Sequence, residues 1–407
     1  MIYCAVLGHG VVGSGVCEVL LSHKESITKK AKKEIDIKYI LDIRDFPSLP
    51  YSNLFTKDFN VILNDPEVKV VAEVMGGVHP AFDFVKSCLE KGKSVVTSNK
   101  ELVAAKGAEL LKIAKDNNVN FLFEASVGGG IPVLRPIAQC LAANDLYEIS
   151  GILNGTTNFI LTKMETENMP FDKALALAQQ LGYAEKDPSA DIDGHDACRK
   201  ICILAALAFG KHVYPSQVVT EGIRNITLLE KEYAALYGGA IKLIGQAKLL
   251  EGGKISASVH PTVVGYNNQL SHVNDVFNAI MVSGDAVGDV MFYGRGAGKM
   301  PTASAVVADI IDCVKHLQAR KYVFWEDGND DYVVNERENI SKFLICLKNR
   351  QGLKEEVAST FDGARFIERE GAKDELCFAT EKAFEGEISD KLGSLNATII
   401  FRLHILD

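Results

Sequence analysis

An apolar run, Ile2 to Leu7, breaks directly into Gly8-His9-Gly10-Val11-Val12-Gly13, and Val16, Val19 and Leu20 then recur at helical spacing. A continuous apolar strand is what a parallel sheet buried on both faces requires. Strand, Gly-x-Gly-x-x-Gly, helix is the order in which this motif means dinucleotide binding. Gly8 permits the tight turn, Gly10 lets a pyrophosphate approach the backbone, and Gly13 lets helix and strand pack closely. Val11 and Val12 open the helix, whose unpaired N–H groups and positive dipole end face the phosphates.

The alternation continues. Strands are expected at Tyr39 to Ile43, Val68 to Val74, Lys93 to Val96 and Phe121 to Phe123, with helices at Phe82 to Leu89 and Leu102 to Ala114. Strands alternating with helices give an α/β chain with a Rossmann-type doubly wound parallel sheet. Ligands of such sheets bind beyond the carboxyl ends of the strands. Gly76, Gly77, Thr97, Ser98, Asn99 and Lys100 all fall at such ends, whereas His79, in a loop before proline, is assigned no role. The second strand ends in Asp42-Ile43-Arg44-Asp45. An acid there binds a ribose 2′-hydroxyl and selects NAD; an arginine accepts a 2′-phosphate and selects NADP. A strand running through Ile43 puts Arg44 at its tip and tilts the reading to NADP, with NAD left open.

A second chemistry-bearing segment runs from Tyr183 to Lys200, with acids at Glu185, Asp187, Asp191, Asp193 and Asp196. From Asp196 to Phe209 the pattern is helical, stopped by Gly210, and from Ile201 it is apolar on every side, as in a buried helix. Asp196 and Lys200 are four residues apart and share a face. A lysine half-buried beside a carboxylate can be tuned for proton transfer, or can simply close an i,i+4 ion pair. The surrounding acids call for a cationic partner. Calcium does not fit, because the spacing is not that of an EF-hand loop.

Bulk properties narrow the rest. With 407 residues, 47% apolar and 24% charged, the chain can hold two or three globular domains. A net charge of −9 with no concentrated basic face argues against nucleic-acid binding. Lys29-Lys30-Ala31-Lys32-Lys33 is the densest basic patch and reads as a solvated helix end. Nine scattered cysteines without a Cys-x-x-Cys pair read as small core hydrophobes and suit a reducing, cytoplasmic compartment. No segment reads as a signal peptide or membrane span.

Taken together, these motifs resemble the homoserine dehydrogenase family. The likeness rests on the loop at 8–13, Gly76-Gly77, Val96 to Lys100, Phe123 to Pro132, Gly151 to Asn158, Tyr183 to Lys200, and Arg295 to Gly298 with Pro301 to Val306, and it covers roughly residues 1–320. It implies NAD(P)-dependent interconversion of L-aspartate 4-semialdehyde and L-homoserine, a step toward threonine, methionine and isoleucine. By position, Lys200 is the implied proton donor and acceptor, Asp196 orients it, and Lys100 contacts substrate and nicotinamide. Glu185 and Asp191 bind the substrate's amino end, and Gly155 and Thr156 are further substrate contacts. Gly8, Gly10, Val11, Val12, Gly13, Arg44, Gly76, Thr97, Ser98, Lys100 and Gly298 line the cofactor. Glu124, Val127, Gly129 and Ile131 resemble a monovalent-cation site, suited to sodium, in which one carboxylate joins backbone carbonyls. His9 departs from the family's usual glycine loop and can alter the fit around the pyrophosphate.

The expected organisation is a dinucleotide-binding domain over 1–134, completed by about 300–320; an α+β substrate-binding and dimerisation domain over 135–300; and a separate small tail over 341–407. The tail's order of elements resembles an ACT domain, a ferredoxin-like regulatory module, although Asn349-Arg350-Gln351-Gly352-Leu353 departs from that module's signature. It implies a possible amino-acid effector such as threonine, or a module that only supports dimerisation. The resemblance also implies a monofunctional chain assembled as a homodimer or homotetramer. Two competing readings are a related amino-acid-aldehyde oxidoreductase and a non-catalytic dinucleotide sensor. The pairing of Lys100 and Lys200 with so many acids argues against the sensor.

Overall fold

The computed structural model describes residues 1–321 and 323–407. They fall into two compact units: Met1–Leu146 with Cys202–Pro215 and Ser283–Asn329, and Tyr147–Ile201 with Ser216–Val282 and Asp330–Asp407.

The first unit carries a six-stranded sheet of β1 (Ile2–Leu7), β2 (Ile35–Leu41), β3 (Phe55–Thr56), β4 (Val68–Glu73), β5 (Ser94–Thr97) and β6 (Phe121–Leu122). Its order is β3-β2-β1-β4-β5-β6, with every pairing parallel. The chain winds outward from β1 to β3, returns, and winds the other way from β4, so the crevice for a ligand opens at the ends of β1 and β4. Cys4, Val6, Val70, Ala72 and Val96 point into one core with Val16, Cys17 and Leu20 of the helix Val11–Ser22. The helix Lys299–Lys315 closes the same face through Ala303, Val306, Val307, Ile310 and Cys313.

Strand β2 stops at Leu41, two residues short of the expected end. Asp42 draws the chain into a turn by accepting the Arg44 N–H at 2.9 Å, and Ile43 is left 88% exposed. Arg44 therefore sits in that turn and not at a strand tip. The two-residue β3, paired with Ile40 and Leu41, is too short to leave a periodic signature.

In the second unit a mixed sheet runs Phe277–Gly284, Leu146–Ile152, Gly239–Leu249, Ile255–Gly265, Ile399–Leu406, Ile340–Lys348, Glu375–Ala379, Arg365–Ile367. The tail follows a βαββαβ order, with helices Leu353–Thr360 and Glu385–Ser394 packed on Phe343, Ile345, Leu347 and Phe378. It is not a separate body. Its last strand pairs in parallel with Ile255–Gly265, Thr262 opposite His404, and all of Asp330–Asp407 clusters with the second unit. A strand added to an existing sheet satisfies backbone donors that a detached module would leave at an open edge.

Eight of the nine cysteines are buried and only Cys140 is exposed, in keeping with a core role for most of them. Among the described residues, no helix is long and apolar enough to cross a membrane.

Candidate active site

The glycine loop is shaped by what cannot be there. Gly8 holds φ at +97°, a conformation L side chains rarely adopt, and its N–H donates to the Leu41 carbonyl at 2.8 Å. A Cβ on Gly13 would lie 1.9 Å from the Gly8 oxygen, so only glycine lets helix and turn approach this closely. At Gly10 a Cβ would meet nothing within 4 Å. Gly10 caps the helix Val11–Ser22 without any side-chain hydrogen bond, and Val11 is 69% exposed. The helix thus presents first-turn N–H groups to an open cradle of the kind a pyrophosphate fills.

Asp42 organises the rim of this cradle. Its carboxylate accepts the His9 N–H at 2.8 Å and a two-point contact from Arg44, Nε at 3.0 Å and Nη2 at 2.9 Å. The Arg44 guanidinium holds the Asp42 carboxyl well below the usual carboxylate range. The Arg44 side chain itself is 58% exposed and also donates to the His9 carbonyl. The His9 ring turns inward against Phe46, Tyr51 and Phe55, so it supports the turn and does not intrude on the loop.

A buried acid that sequence reasoning missed joins the next two strand ends. Glu73, the last residue of β4, accepts the Thr97 hydroxyl at 2.6 Å and the Met75 N–H at 2.8 Å. Burial pushes its carboxyl upward. The signal was an acid closing the buried run Val70-Val71-Ala72, two residues before Met75-Gly76-Gly77. The Thr97 hydroxyl in turn accepts the Asn99 N–H at 2.9 Å; Asn99 donates to the Gly77 carbonyl at 2.6 Å and caps the helix Lys100–Asp116. Gly76 and Gly77 both have positive φ. Gly76, Thr97, Ser98 and Lys100 therefore stand together at the carboxyl ends of β4 and β5, with Lys100 as first helical residue. Gly298, at φ +124°, caps the helix Lys299–Lys315 in the same unit, and a Cβ on Gly15 would come within 3.0 Å of Lys299.

The loop read as a cation site is tied together by its own hydrogen bonds. The Glu124 carboxylate accepts the N–H groups of Val133 (2.6 Å), Leu134 (2.9 Å) and Arg135 (2.8 Å). Two of these N–H groups share Oε1 and the third meets Oε2, so the carboxylate ties the following segment to the loop. Gly129 has φ +56° and presses against Gly296, and Ile131 donates to the Gly128 carbonyl. Among the described residues, no group of three or more His, Cys, Asp or Glu could hold a metal.

In the second unit the acids divide. Lys200 and Asp196, both buried on the helix His195–Phe209, meet at 2.8 Å, and the Lys200 ammonium also donates to the Leu153 carbonyl at 2.7 Å. Asp191 joins them through Asn154, whose amide nitrogen donates to Asp191 at 2.7 Å and to Asp196 at 2.9 Å. The other acids lie outside this group. Asp187 accepts the N–H and hydroxyl of Ser189, the first residue of the short helix Ser189–Ile192. Asp193 takes a two-point contact from Arg224 at 2.9 and 2.8 Å, which holds its carboxyl below its ordinary range. Arg224 is a cationic partner the local sequence could not reveal. Glu185 is exposed.

The Asn154-Gly155-Thr156-Thr157-Asn158 turn is mostly structural. A Cβ on Gly155 would lie 2.8 Å from the Val276 carbonyl, the Thr156 hydroxyl donates to the Tyr183 carbonyl, and Asn158 donates to the carbonyls of Val273, Asp275 and Phe277. The Thr156 hydroxyl is thus committed within the protein. Gly155 and Thr156 open the helix Gly155–Glu167, so their first-turn N–H groups have no partner within the helix.

A doubly wound sheet with a bare glycine cradle, and a buried lysine set against carboxylates, define a nicotinamide-dependent oxidoreductase as the class of this protein. Comparison with known proteins narrows the class. Residues 8–124 match the family model "Homoserine dehydrogenase, NAD binding domain", and residues 132–311 match "Homoserine dehydrogenase". The homoserine dehydrogenase of Synechocystis is 44% identical over 316 residues, spanning 76% of this chain and 72% of that protein. The solved homoserine dehydrogenase of Thiobacillus denitrificans superposes with a TM-score of 0.90 at 33% identity, covering 100% of this chain and 98% of that one. A hyperthermophilic archaeal homoserine dehydrogenase mutant, solved with NADPH, has a TM-score of 0.65 at 28% identity over 77% of this chain and 97% of its own. The chain belongs to the homoserine dehydrogenase family. Its reaction is the NAD(P)-dependent interconversion of L-aspartate 4-semialdehyde and L-homoserine, on the route to threonine, methionine and isoleucine.

Proposed function

We propose that Lys200 carries the proton of this reaction. The observation that supports it most is the two-point hold on its ammonium, by Asp196 and by the Leu153 carbonyl, in a buried position linked through Asn154 to Asp191. The bound nicotinamide supplies the hydride acceptor or donor. In homoserine oxidation the C–H bond at the alcohol carbon gives up its hydride, the O–H proton passes to neutral Lys200, and the C=O bond forms. In the reverse direction the ammonium polarises the aldehyde and delivers the proton to the forming alkoxide.

Asp191 and Glu185 bind the substrate ammonium through charge-assisted hydrogen bonds, and Asp196 orients Lys200. Lys100 contacts substrate and nicotinamide, and the first-turn N–H groups of Gly155 and Thr156 offer further substrate contacts. Gly8, Gly10, Val11, Val12 and Gly13 would hold the pyrophosphate, and Gly76, Thr97, Ser98 and Gly298 would line the rest of the dinucleotide. Asp42 spends its oxygens on His9 and Arg44, which leaves an exposed guanidinium on the rim. This favours NADP over NAD, and the archaeal relative solved with NADPH agrees. The loop of Glu124, Val127, Gly129 and Ile131 would hold a sodium-like ion, and the βαββαβ tail binds an effector such as threonine. The protein works as a cytoplasmic homodimer or homotetramer.

The test is a substrate panel. NADP⁺ or NAD⁺ reduction is followed by absorbance with L-homoserine and related amino alcohols. Turnover confined to homoserine, with higher kcat/KM for NADP⁺, supports the assignment. Turnover with another amino alcohol only, or none, contradicts it.

A further inference from the structure

We infer that Asn154 is a positioning residue for the proton carrier, an assignment that rests on the role proposed for Lys200. Its side chain is buried, and each of its polar atoms has a defined task. Oδ1 accepts the Thr157 N–H at 2.8 Å and the Thr157 hydroxyl at 3.1 Å. Nδ2 donates to Asp191 Oδ1 at 2.7 Å and to Asp196 Oδ2 at 2.9 Å.

These partners fix which way the amide points. Turned over, it would set its oxygen against two carboxylates and its NH₂ against a peptide N–H, which loses both carboxylate contacts and the peptide contact and keeps at most the one to the Thr157 hydroxyl. The amide therefore gives one hydrogen to each acid and holds them at a set spacing without adding charge. Asp196 Oδ2 receives both this amide hydrogen and the Lys200 ammonium, the latter at 2.8 Å. The preceding residue supplies the second hold on the same ammonium, through the Leu153 carbonyl. Two consecutive residues at the end of the strand Leu146–Ile152 thus fix the lysine, its acid and the neighbouring Asp191 as one unit.

A plain helix cap would need only Oδ1. Asparagine, aspartate and serine all cap well, so capping alone does not select among them. Only the amide also presents two hydrogens to two carboxylates. Asn154→Asp keeps the cap and converts both donations into like-charge contacts. Asn154→Ser keeps the cap and is too short to bridge both acids.

The experiment measures kcat, KM for homoserine, the pH profile of kcat, NADPH binding and thermal unfolding for the wild type, both variants and Lys200→Ala. The expected result for Asn154→Asp is a fall in kcat of about ten- to hundredfold, the order that misplacement of a reacting group produces. Its pH profile for homoserine oxidation moves upward by about one unit, because an added carboxylate makes the lysine hold its proton more tightly. Asn154→Ser loses kcat with a smaller profile shift, and both variants bind NADPH as the wild type does. Wild-type kcat and profile in both variants would overturn the assignment, as would a kcat loss that only tracks lost thermal stability with the profile unmoved. If Lys200→Ala keeps full turnover, the proton-carrier reading fails and this inference with it. If Lys200→Ala is inactive while both Asn154 variants behave as wild type, only the inference about Asn154 falls.

Discussion

Gly10 and Gly13 stand three residues apart in one loop, yet substitution by alanine should damage different properties. At Gly13 the new methyl would sit 1.9 Å from the Gly8 oxygen, 2.9 Å from the Gly8 carbonyl carbon and 3.2 Å from Val74 Cγ2. The first two obstacles are backbone and cannot swing aside. Overpacking of this kind costs about 1–3 kcal/mol or more. Alanine's helix preference returns up to about 1 kcal/mol. A net loss of about 1–2 kcal/mol corresponds to a Tm lower by about 2–8 °C in a unit of this size. At Gly10 the methyl meets nothing within 4 Å, and φ of −80° suits alanine. Apoprotein stability should hold, or rise by about 0.4–1 kcal/mol as the unfolded chain loses freedom. The methyl instead fills the space where a pyrophosphate approaches the backbone. Losing one or two hydrogen bonds to a charged phosphate, at about 1.5 kcal/mol each, weakens the dinucleotide by about ten- to hundredfold. Circular-dichroism melts with and without NADPH, together with fluorescence titration of NADPH, separate the two effects. NADPH should raise the Tm of the wild type and barely that of Gly10→Ala. Wild-type NADPH affinity in Gly10→Ala, or an equal stability loss in both variants, would refute the reasoning.

Other expectations follow from individual contacts. Arg44→Ala should raise KM for NADP⁺ by about tenfold or more while leaving NAD⁺ kinetics within about twofold, since removing one charged partner costs on the order of 1.5 kcal/mol; equal effects on both coenzymes would count against the guanidinium as a 2′-phosphate partner. His212 is buried, bonded at Nε2 to the Ala104 carbonyl and accepting the Trp325 indole N–H at Nδ1, and burial lowers its pKa from the ordinary 6.5. Its contribution to stability is thus complete above about pH 6.5 and is lost as the pH falls toward the depressed folded value, when protonation at Nδ1 displaces Trp325. His212→Gln should flatten that part of the stability–pH curve, and urea melts from pH 7.5 to 5 with parallel curves would refute this. Threonine at millimolar concentration should change wild-type activity if the tail binds an effector; an unchanged rate across the titration would leave the tail a purely architectural role.

Much of this site was legible in the sequence because its signals are local. The strand and glycine loop of residues 2–13 announce themselves by residue type and spacing, and the helix His195–Phe209 by its apolar run and its i,i+4 pair. Features that depend on distant partners left no such trace. Arg224 reaches Asp193 across 31 residues, and the strand Ile399–Leu406 finds Ile255–Gly265 across a far longer stretch, so the acid's partner and the tail's fusion to the sheet were both invisible. Local reading misled where hydrogen bonds overrode hydropathy. Ile43 looked like strand, but Asp42 bends the chain before it. Nor did the sequence show that the Glu124 carboxylate accepts three peptide N–H groups. Asn154 could be read as a cap; its grip on two acids 37 and 42 residues away could not.

Single-turnover kinetics of Lys200→Ala with bound NADP⁺ and L-homoserine put the chemical assignment at greatest risk. The expected hydride-transfer rate is lower by about 10²–10⁴-fold, the range a positioned acid–base group supplies, with NADP⁺ affinity unchanged. A rate within a few-fold of the wild type would show that the proton leaves the substrate by another route.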